Sequence, residues 1–453
     1  MNAKPAANPK LQRHAKSFLD KLHDFVTPAM WKQAKQARRA AKKSPRWTAQ
    51  PLVLTLLAMT WCCGDSLAER FETAKSFTAV CLRKRRGPGQ TVQGFQEALA
   101  ALPMGVLRVL AAGMRRRMLA LFDLASDGFL VFGCDGSSMA TPRTAELERW
   151  LDPAVQEHGP PQVWVTALVH VRTGLLWAWH LGKGYNRERS HLQALLPTLP
   201  ANALVVADAG YNGYELACAL TMAGICFVIR MSGKDRLYTE QHIAVEKFVA
   251  GEVWLWTQKA QKAQQAPLRV RLLRIQAKDR RDVWLLTNVL DEKRLTVQMA
   301  GKYYRWRWEN EGLFRTFKRT LAKVKLMSRT VRLVHREAEG ALLATQLLLA
   351  QGVQAMSARP RQQTAPIQPE RCSPRKVLLV LRDVISGKIG VRDELRFAKR
   401  LQDASREDRQ RSSVKEKRPW PRRVNHKPQK PPNFLKLSRK EKALAHKLLK
   451  AAA

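Results

Sequence analysis

Over the first 125 or so residues, apolar positions recur at helical spacing; from Phe129 onward they change to short runs of Val, Leu and Trp separated by turns. In the first stretch Trp31 to Lys43 reads as a basic helix, and Thr48 is placed to cap an apolar helix over Pro51 to Cys63. Ser66 and Glu69 have the spacing of a capping box that opens the next helix, which Arg83-Lys84-Arg85-Arg86-Gly87-Pro88-Gly89 breaks. Thr91 begins another helix, and Met104 to Phe122 a further basic one. In the second stretch Phe129 to Cys134 reads as a strand, Val163 to Val171 and Leu175 to Leu181 as a hairpin about Thr173-Gly174, and Ser190 to Leu199 as a helix. The strand Ala203 to Ala207 and the helix Tyr214 to Ala223 follow. Further strands over Cys226 to Met231, Glu252 to Thr257, Leu268 to Ile275 and Asp282 to Val289 form either an inserted β-subdomain or an extension of the main sheet. Strands interleaved with helices predict an α/β fold.

After a helix that includes Leu342 to Leu349, Pro, Gln, Ser and Arg dominate near Ala358 to Pro374, before a helix from about Lys376 to Ile385. From Arg400 onward Lys, Arg and Pro prevail, as in a mobile arm, although Ser438 and Glu441 are spaced to cap a terminal helix running to about Leu449. The expected division is a helical basic DNA-binding domain over 1–125, a first part of an α/β core over 126–225, a β-rich insertion over 226–300, the rest of the core over 301–357, and a partly disordered basic region over 358–453. No recognition helix stands out in the first of these, and a bundle that merely caps the core is an equal alternative.

Charge narrows the function. With 80 Lys and Arg against 37 Asp and Glu, the chain carries a formal net charge of +43 and would repel itself unless a polyanion neutralised it. Nucleic acid is the natural partner. The seven cysteines form no C-x-x-C pair or zinc spacing, which suits a reducing compartment. The apolar runs Leu52 to Cys63 and Ala341 to Ala350 are too short to span a bilayer, so a soluble cytoplasmic protein with no membrane partner is expected.

Two acids stand in similar settings. Asp135 follows the apolar strand Phe129 to Cys134 and precedes Gly136-Ser137-Ser138; Asp208 follows Ala203 to Ala207 and precedes Ala209-Gly210-Tyr211. An Asp before Gly is most often a turn former, but on parallel neighbouring strands these two carboxylates would converge beyond the sheet. Farther on, Tyr304, Arg307, Glu311 and Lys318 lie at offsets of three, seven and fourteen residues. On one helix they would occupy a stripe of about 60°. Phe314, Phe317 and Leu321 form an apolar band on one flank of that stripe, and Arg315 and Arg319 lie on the other. A solvated face of a basic amphipathic helix is the plainer alternative. Glu188 and Glu309 read as solvated or paired with Arg, and His170, His180 and His191 as ordinary histidines without ligand spacing.

The spacing Tyr, two residues, Arg, three residues, Glu, six residues, Lys resembles the Y-R-E-K signature of DDE insertion-sequence transposases of the insertion sequence four group. The order Asp135, Asp208, Glu311 and the motifs Asp135-Gly136-Ser137 and Asp208-Ala209-Gly210-Tyr211 are similar to theirs as well. The resemblance covers roughly residues 129–350. It implies an RNase H-like catalytic core interrupted by a β-rich insertion, with Asp135, Asp208 and Glu311 as catalytic acids holding two Mg²⁺ or Mn²⁺ ions. Hard oxygen ligands suit those ions, which relieve repulsion among the acids and promote phosphodiester cleavage. It further implies that Tyr304, Arg307 and Lys318 hold phosphates of double-stranded DNA at the element ends, that movement is cut-and-paste, and that a homodimer forms the synaptic complex in a prokaryotic, nucleoid-associated setting. Trp284 matches in context a tryptophan that supports a flipped base in a hairpin-forming relative; a core position in an apolar strand is the alternative. An RNase H-like nuclease that does not join strands, and an inactive basic DNA-binding protein, are the rival functions.

Overall fold

The structure, a computed structural model, describes residues 15–38, 46–83, 87–151, 159–183, 188–231, 236–240, 244–276, 282–307, 309–323, 325–356, 371–405 and 431–452. The basic run at Lys84 to Arg86, the Pro-rich stretch 357–370 and most of the expected arm, 406–430, lie outside the described residues. Among the described residues the strands are β1 (Leu130–Ala140), β2 (Gln162–His170), β3 (Leu175–Gly182), β4 (Ala203–Ala207), β5 (Cys226–Arg230), β6 (Arg236–Thr239), β7 (Ala250–Leu255), β8 (Leu268–Ile275), β9 (Val283–Thr287) and β10 (Asn433–Lys436). The chain divides into two compact units: Met1–Leu124 with Gly136–Tyr185 and Glu311–Asp408, and Ala125–Asp135 with Asn186–Asn310 and Arg409–Ala453.

The first unit is mostly helical. Helix Ala49–Trp61 is buried on all sides, which explains its apolar run, and it packs against helix Val331–Met356, itself buried from Ala338 through Val353. At Gly340 the two approach so closely that an added Cβ would lie 2.4 Å from Leu56 Cδ2. Polar ties cross this core: Trp61 Nε1 donates to the Ala344 carbonyl at 3.3 Å and Gln346 Nε2 to the Trp177 carbonyl at 3.0 Å. Ser66 and Glu69 form the expected capping box on helix Leu67–Leu82. The expected hairpin is β2 and β3, paired antiparallel about Gly174 at φ 72°. The N-terminal helices therefore do not stand as a separate domain: they share one compact unit with this hairpin and with helices Val331–Met356, Pro374–Ile385 and Glu394–Ser405. No single helix among the described residues is long and apolar enough to cross a membrane.

The second unit is built on a sheet in the order β10, β6, β7, β8, β9, β5, β4, β1. β1, β4 and β5 run parallel, and all five residues of β4 are buried, as a strand covered on both faces requires. β9 then pairs antiparallel with β5, and β8 and β7 continue from it. Of the two arrangements open for residues 226–300, the extension of the main sheet is found, and the separate β-rich subdomain is not. The chain's end also differs from a wholly mobile arm. β10 pairs in parallel with β6, Phe434 packs 5.4 Å from Phe248, and helix Arg439–Ala452 follows its Ser438–Glu441 capping box. Lys442 pairs with Glu240 at 2.6 Å. Pairing satisfies the β6 edge that would otherwise stand open.

Candidate active site

In the second unit, β1 and β4 pair from Leu130 with Ala203 to Gly133 with Val206. Two residues farther along that register Asp135 stands opposite Asp208. Parallel neighbours lie about 4.8 Å apart and residues in register point to the same face, so the two carboxylates share one edge. Asp208 ends its strand as expected, and its Oδ1 accepts from the Gly210 N–H at 2.9 Å, capping the 3₁₀ turn Ala209–Tyr211. Asp135 does not end its strand. β1 continues through Gly136-Ser137-Ser138 to Ala140, whose carbonyl accepts from the Leu326 N–H at 2.8 Å. A partner for the extended backbone overrides the turn preference of those residues.

A third carboxylate, read from the sequence as solvated or Arg-paired, belongs to this edge. Glu188 opens helix Glu188–Leu195, is half-buried, and has no hydrogen bond or ion pair among the described residues. Burial first, then the charges of Asp208 and Asp135, push its carboxyl up to about 7. Its neighbour Arg189 donates from Nε to the Gly210 carbonyl at 3.0 Å and so ties the start of this helix to the Asp208 turn. A Cβ on Gly210 would lie 3.1 Å from Asp208 Oδ1 and 3.4 Å from Glu188 Oε2, so the bare α-carbon leaves a small cradle between the two carboxylates. Beneath them burial raises the Cys134 thiol and the Tyr211 hydroxyl, and the acids raise both further. Among the described residues no three His, Cys, Asp or Glu side chains form a ready metal cage. The donor set nevertheless fits a hard divalent cation, being all carboxylate oxygen with open space at Gly210. Nothing in the sequence near Glu188 announces this position, which depends on a tertiary contact with the turn after β4.

The signature residues are not carried on one helix. Helix Val297–Trp306 ends at Arg307, a seven-residue helix Glu309–Arg315 follows, and Thr316–Thr320 is a π turn in which the Leu321 N–H reaches the Thr316 carbonyl at 3.0 Å. The Thr316 hydroxyl also donates to the Gly312 carbonyl at 3.0 Å, a contact that bends helices. The uniform 100° step behind the expected stripe therefore fails between Arg307 and Lys318. In the second unit Tyr304 and Arg307 are 9% and 8% exposed, with the guanidinium 5.5 Å from the ring centre, so they are packed rather than presented to solvent. In the first unit Glu311 is exposed and Lys318 half-buried, its ammonium pKa lowered by desolvation. Trp284, in β9, is 7% exposed, with Phe248 at 5.8 Å, Phe434 at 6.3 Å and the Arg274 guanidinium 5.3 Å from its ring. That is the setting of the core alternative; support of a flipped base would require the cluster to open. Among the histidines, His170 is fully buried, its ring nitrogens 2.7 Å from Thr173 Oγ1 and 2.9 Å from the Leu124 carbonyl.

Residues 130–347 match the family described as Transposase DDE domain, a span that includes Asp135, Asp208 and Glu311. Among solved structures the chain is similar to the piggyBac transposase in the cryo-EM structure of its synaptic complex with hairpin DNA. Identity is 11% and the TM-score 0.42, over 89% of this chain and 88% of that one. No curated protein matches the chain.

Proposed function

We propose that this chain, a DDE transposase with an RNase H-like α/β fold and its DDE domain over residues 130–347, cuts the ends of its own mobile element and joins the freed 3′ ends to target DNA by cut-and-paste. The observation that carries this reading is the parallel register of β1 and β4, which aligns Asp135 with Asp208 inside the matched domain. By chain order and signature, Glu311 is the third catalytic acid. Asp135, Asp208 and Glu311 would hold two Mg²⁺ or Mn²⁺ ions, which when bound favour the attacking oxygen of water or a 3′-hydroxyl and the departing oxygen of the phosphodiester. The chain's own part is orientation. Strand pairing fixes the spacing of the two aspartates, and the Gly210 N–H holds one oxygen of Asp208.

Lys318, Arg307 and Tyr304 supply phosphate contacts at the element end, Lys318 from its half-exposed position and the buried pair once the turn at Arg307 opens. Each of two element ends needs its own acids, which makes a homodimer the natural synaptic unit. A prokaryotic cytoplasm, at the nucleoid, gives this basic chain its polyanion. The test is incubation of the full chain with Mg²⁺, a donor carrying the DNA that flanks its coding region, and a target plasmid, resolved on a gel. Strand-transfer product is expected. Nicks without joining would identify a nuclease, and binding without nicks an inactive DNA-binding protein.

A further inference from the structure

We infer that Glu188 is a further cation-holding residue of this site, acting with Asp135 and Asp208 from the start of helix Glu188–Leu195. The inference rests on the metal-dependent DDE reading above, and it adds a residue that the Asp, Asp, Glu order does not contain. Three observations carry it. The cradle at Gly210 has an Asp208 oxygen on one side and a Glu188 oxygen on the other, at 3.1 and 3.4 Å from the position a Cβ would take. Glu188 spends its carboxylate on no other partner among the described residues, while the adjacent Arg189 is engaged with the Gly210 carbonyl. The charges acting on Glu188 are those of Asp208 and Asp135, with no neighbouring cation to offset them. A glutamate in the first turn of a helix is favoured by the helix dipole. That accounts for an acid facing solvent; it does not account for one half-buried against two others. A divalent cation shared by the three carboxylates does.

The experiment is Mn²⁺ titration of the purified full chain without DNA, with free Mn²⁺ read by electron paramagnetic resonance. Glu188→Gln keeps the shape of the side chain and removes its charge, and should weaken the tightest Mn²⁺ binding about tenfold or more. Glu188→Asp should recover part of that loss. Gly210→Ala, which fills the cradle without touching Glu188, should weaken binding as well. Glu215→Gln, whose parent side chain pairs with Lys259 at 2.7 Å, serves as an acid removed elsewhere in the same unit and should bind like the parent. Parental Mn²⁺ affinity in both Glu188→Gln and Gly210→Ala, with loss in Asp135→Asn and Asp208→Asn, would overturn the inference and leave the DDE reading intact. Parental affinity in those two Asp variants as well would overturn the metal site itself.

Discussion

Asp135 and Asp208 are held differently from Glu311. The two aspartates belong to the sheet unit, where the ladder between β1 and β4 sets their spacing within a hydrogen-bonded register. Glu311 belongs to the helical unit, exposed on a seven-residue helix that runs into a π turn. A ladder resists a shift because every bond in it must move together, whereas a short helix ending in a π turn can exchange i+5 for i+4 bonds and rotate its side chains at low cost. The comparison teaches that two acids of the proposed set are fixed by pairing and the third is adjustable.

Substitution of the acids probes this difference with the largest effects. Asp135→Asn and Asp208→Asn should reduce nicking by about 10³-fold or more while DNA binding persists. Lengthening is more discriminating: Asp135→Glu and Asp208→Glu should be nearly as inactive, because the ladder cannot retreat by the length of a methylene, whereas Glu311→Asp should retain measurable nicking. Single-turnover nicking rates with Mg²⁺ decide it. Equal inactivity in all three would show that Glu311 is held as rigidly as the strand acids.

The difference also explains what the sequence discloses. β4 is legible because five consecutive apolar residues between turn signals leave one economical reading, and Ser66 with Glu69 because a capping box is a local interaction. β1 beyond Asp135 is not legible: Gly136-Ser137-Ser138 prefer a turn, and only a backbone partner from residues nearly two hundred positions away keeps them extended. β6 and β10 are four-residue edge strands containing Arg236, Asn433 and Lys436, too short and too polar to show alternation. The breaks at Arg307 and Thr316 escape notice because the side-chain pattern from Val297 to Leu321 keeps helical spacing through them. Glu188 is hidden for the opposite reason, since its meaning lies wholly in a contact with another segment.

Trp284 tests whether the sheet unit is fixed as a whole. Trp284→Ala removes the centre of the cluster with Phe248, Phe434 and Arg274, and should destabilise that unit by about 3 kcal/mol or more. Denaturant unfolding followed by hydrogen exchange on β8, β9 and β10 measures it. A stable variant that loses hairpin formation or second-strand cleavage would instead assign the ring to DNA.

The helical unit should respond to acid through His170. Burial holds its pKa down at about 3, so between that value and the ordinary 6.5 the unfolded chain binds a proton that the folded chain does not. The stability it contributes is complete above pH 6.5 and is lost as pH falls toward 3, by about 2 kcal/mol at pH 5. His170→Gln should flatten the dependence of thermal unfolding on pH between 7 and 5. An unchanged slope would place the acid sensitivity of this unit elsewhere.

The smallest effect is expected at Arg189, and its size reports how the Asp208 carboxylate is held. Arg189 is exposed and its described bond is a single donation to the Gly210 carbonyl, within the turn that Asp208 caps. If β4 pairing fixes Asp208, losing that bond costs about 1 kcal/mol, or roughly fivefold in nicking. The loss should appear as a higher Mg²⁺ requirement, since the turn that orients one carboxylate oxygen is loosened while the strand beneath it is not. Arg189→Lys, which keeps a donor without the planar fork, should fall between the parent and Arg189→Ala. A loss of about a hundredfold or more in Arg189→Ala, in a protein with parental thermal stability, would mean that the turn rather than the ladder sets the position of Asp208, and the contrast with Glu311 would then reduce to one of degree.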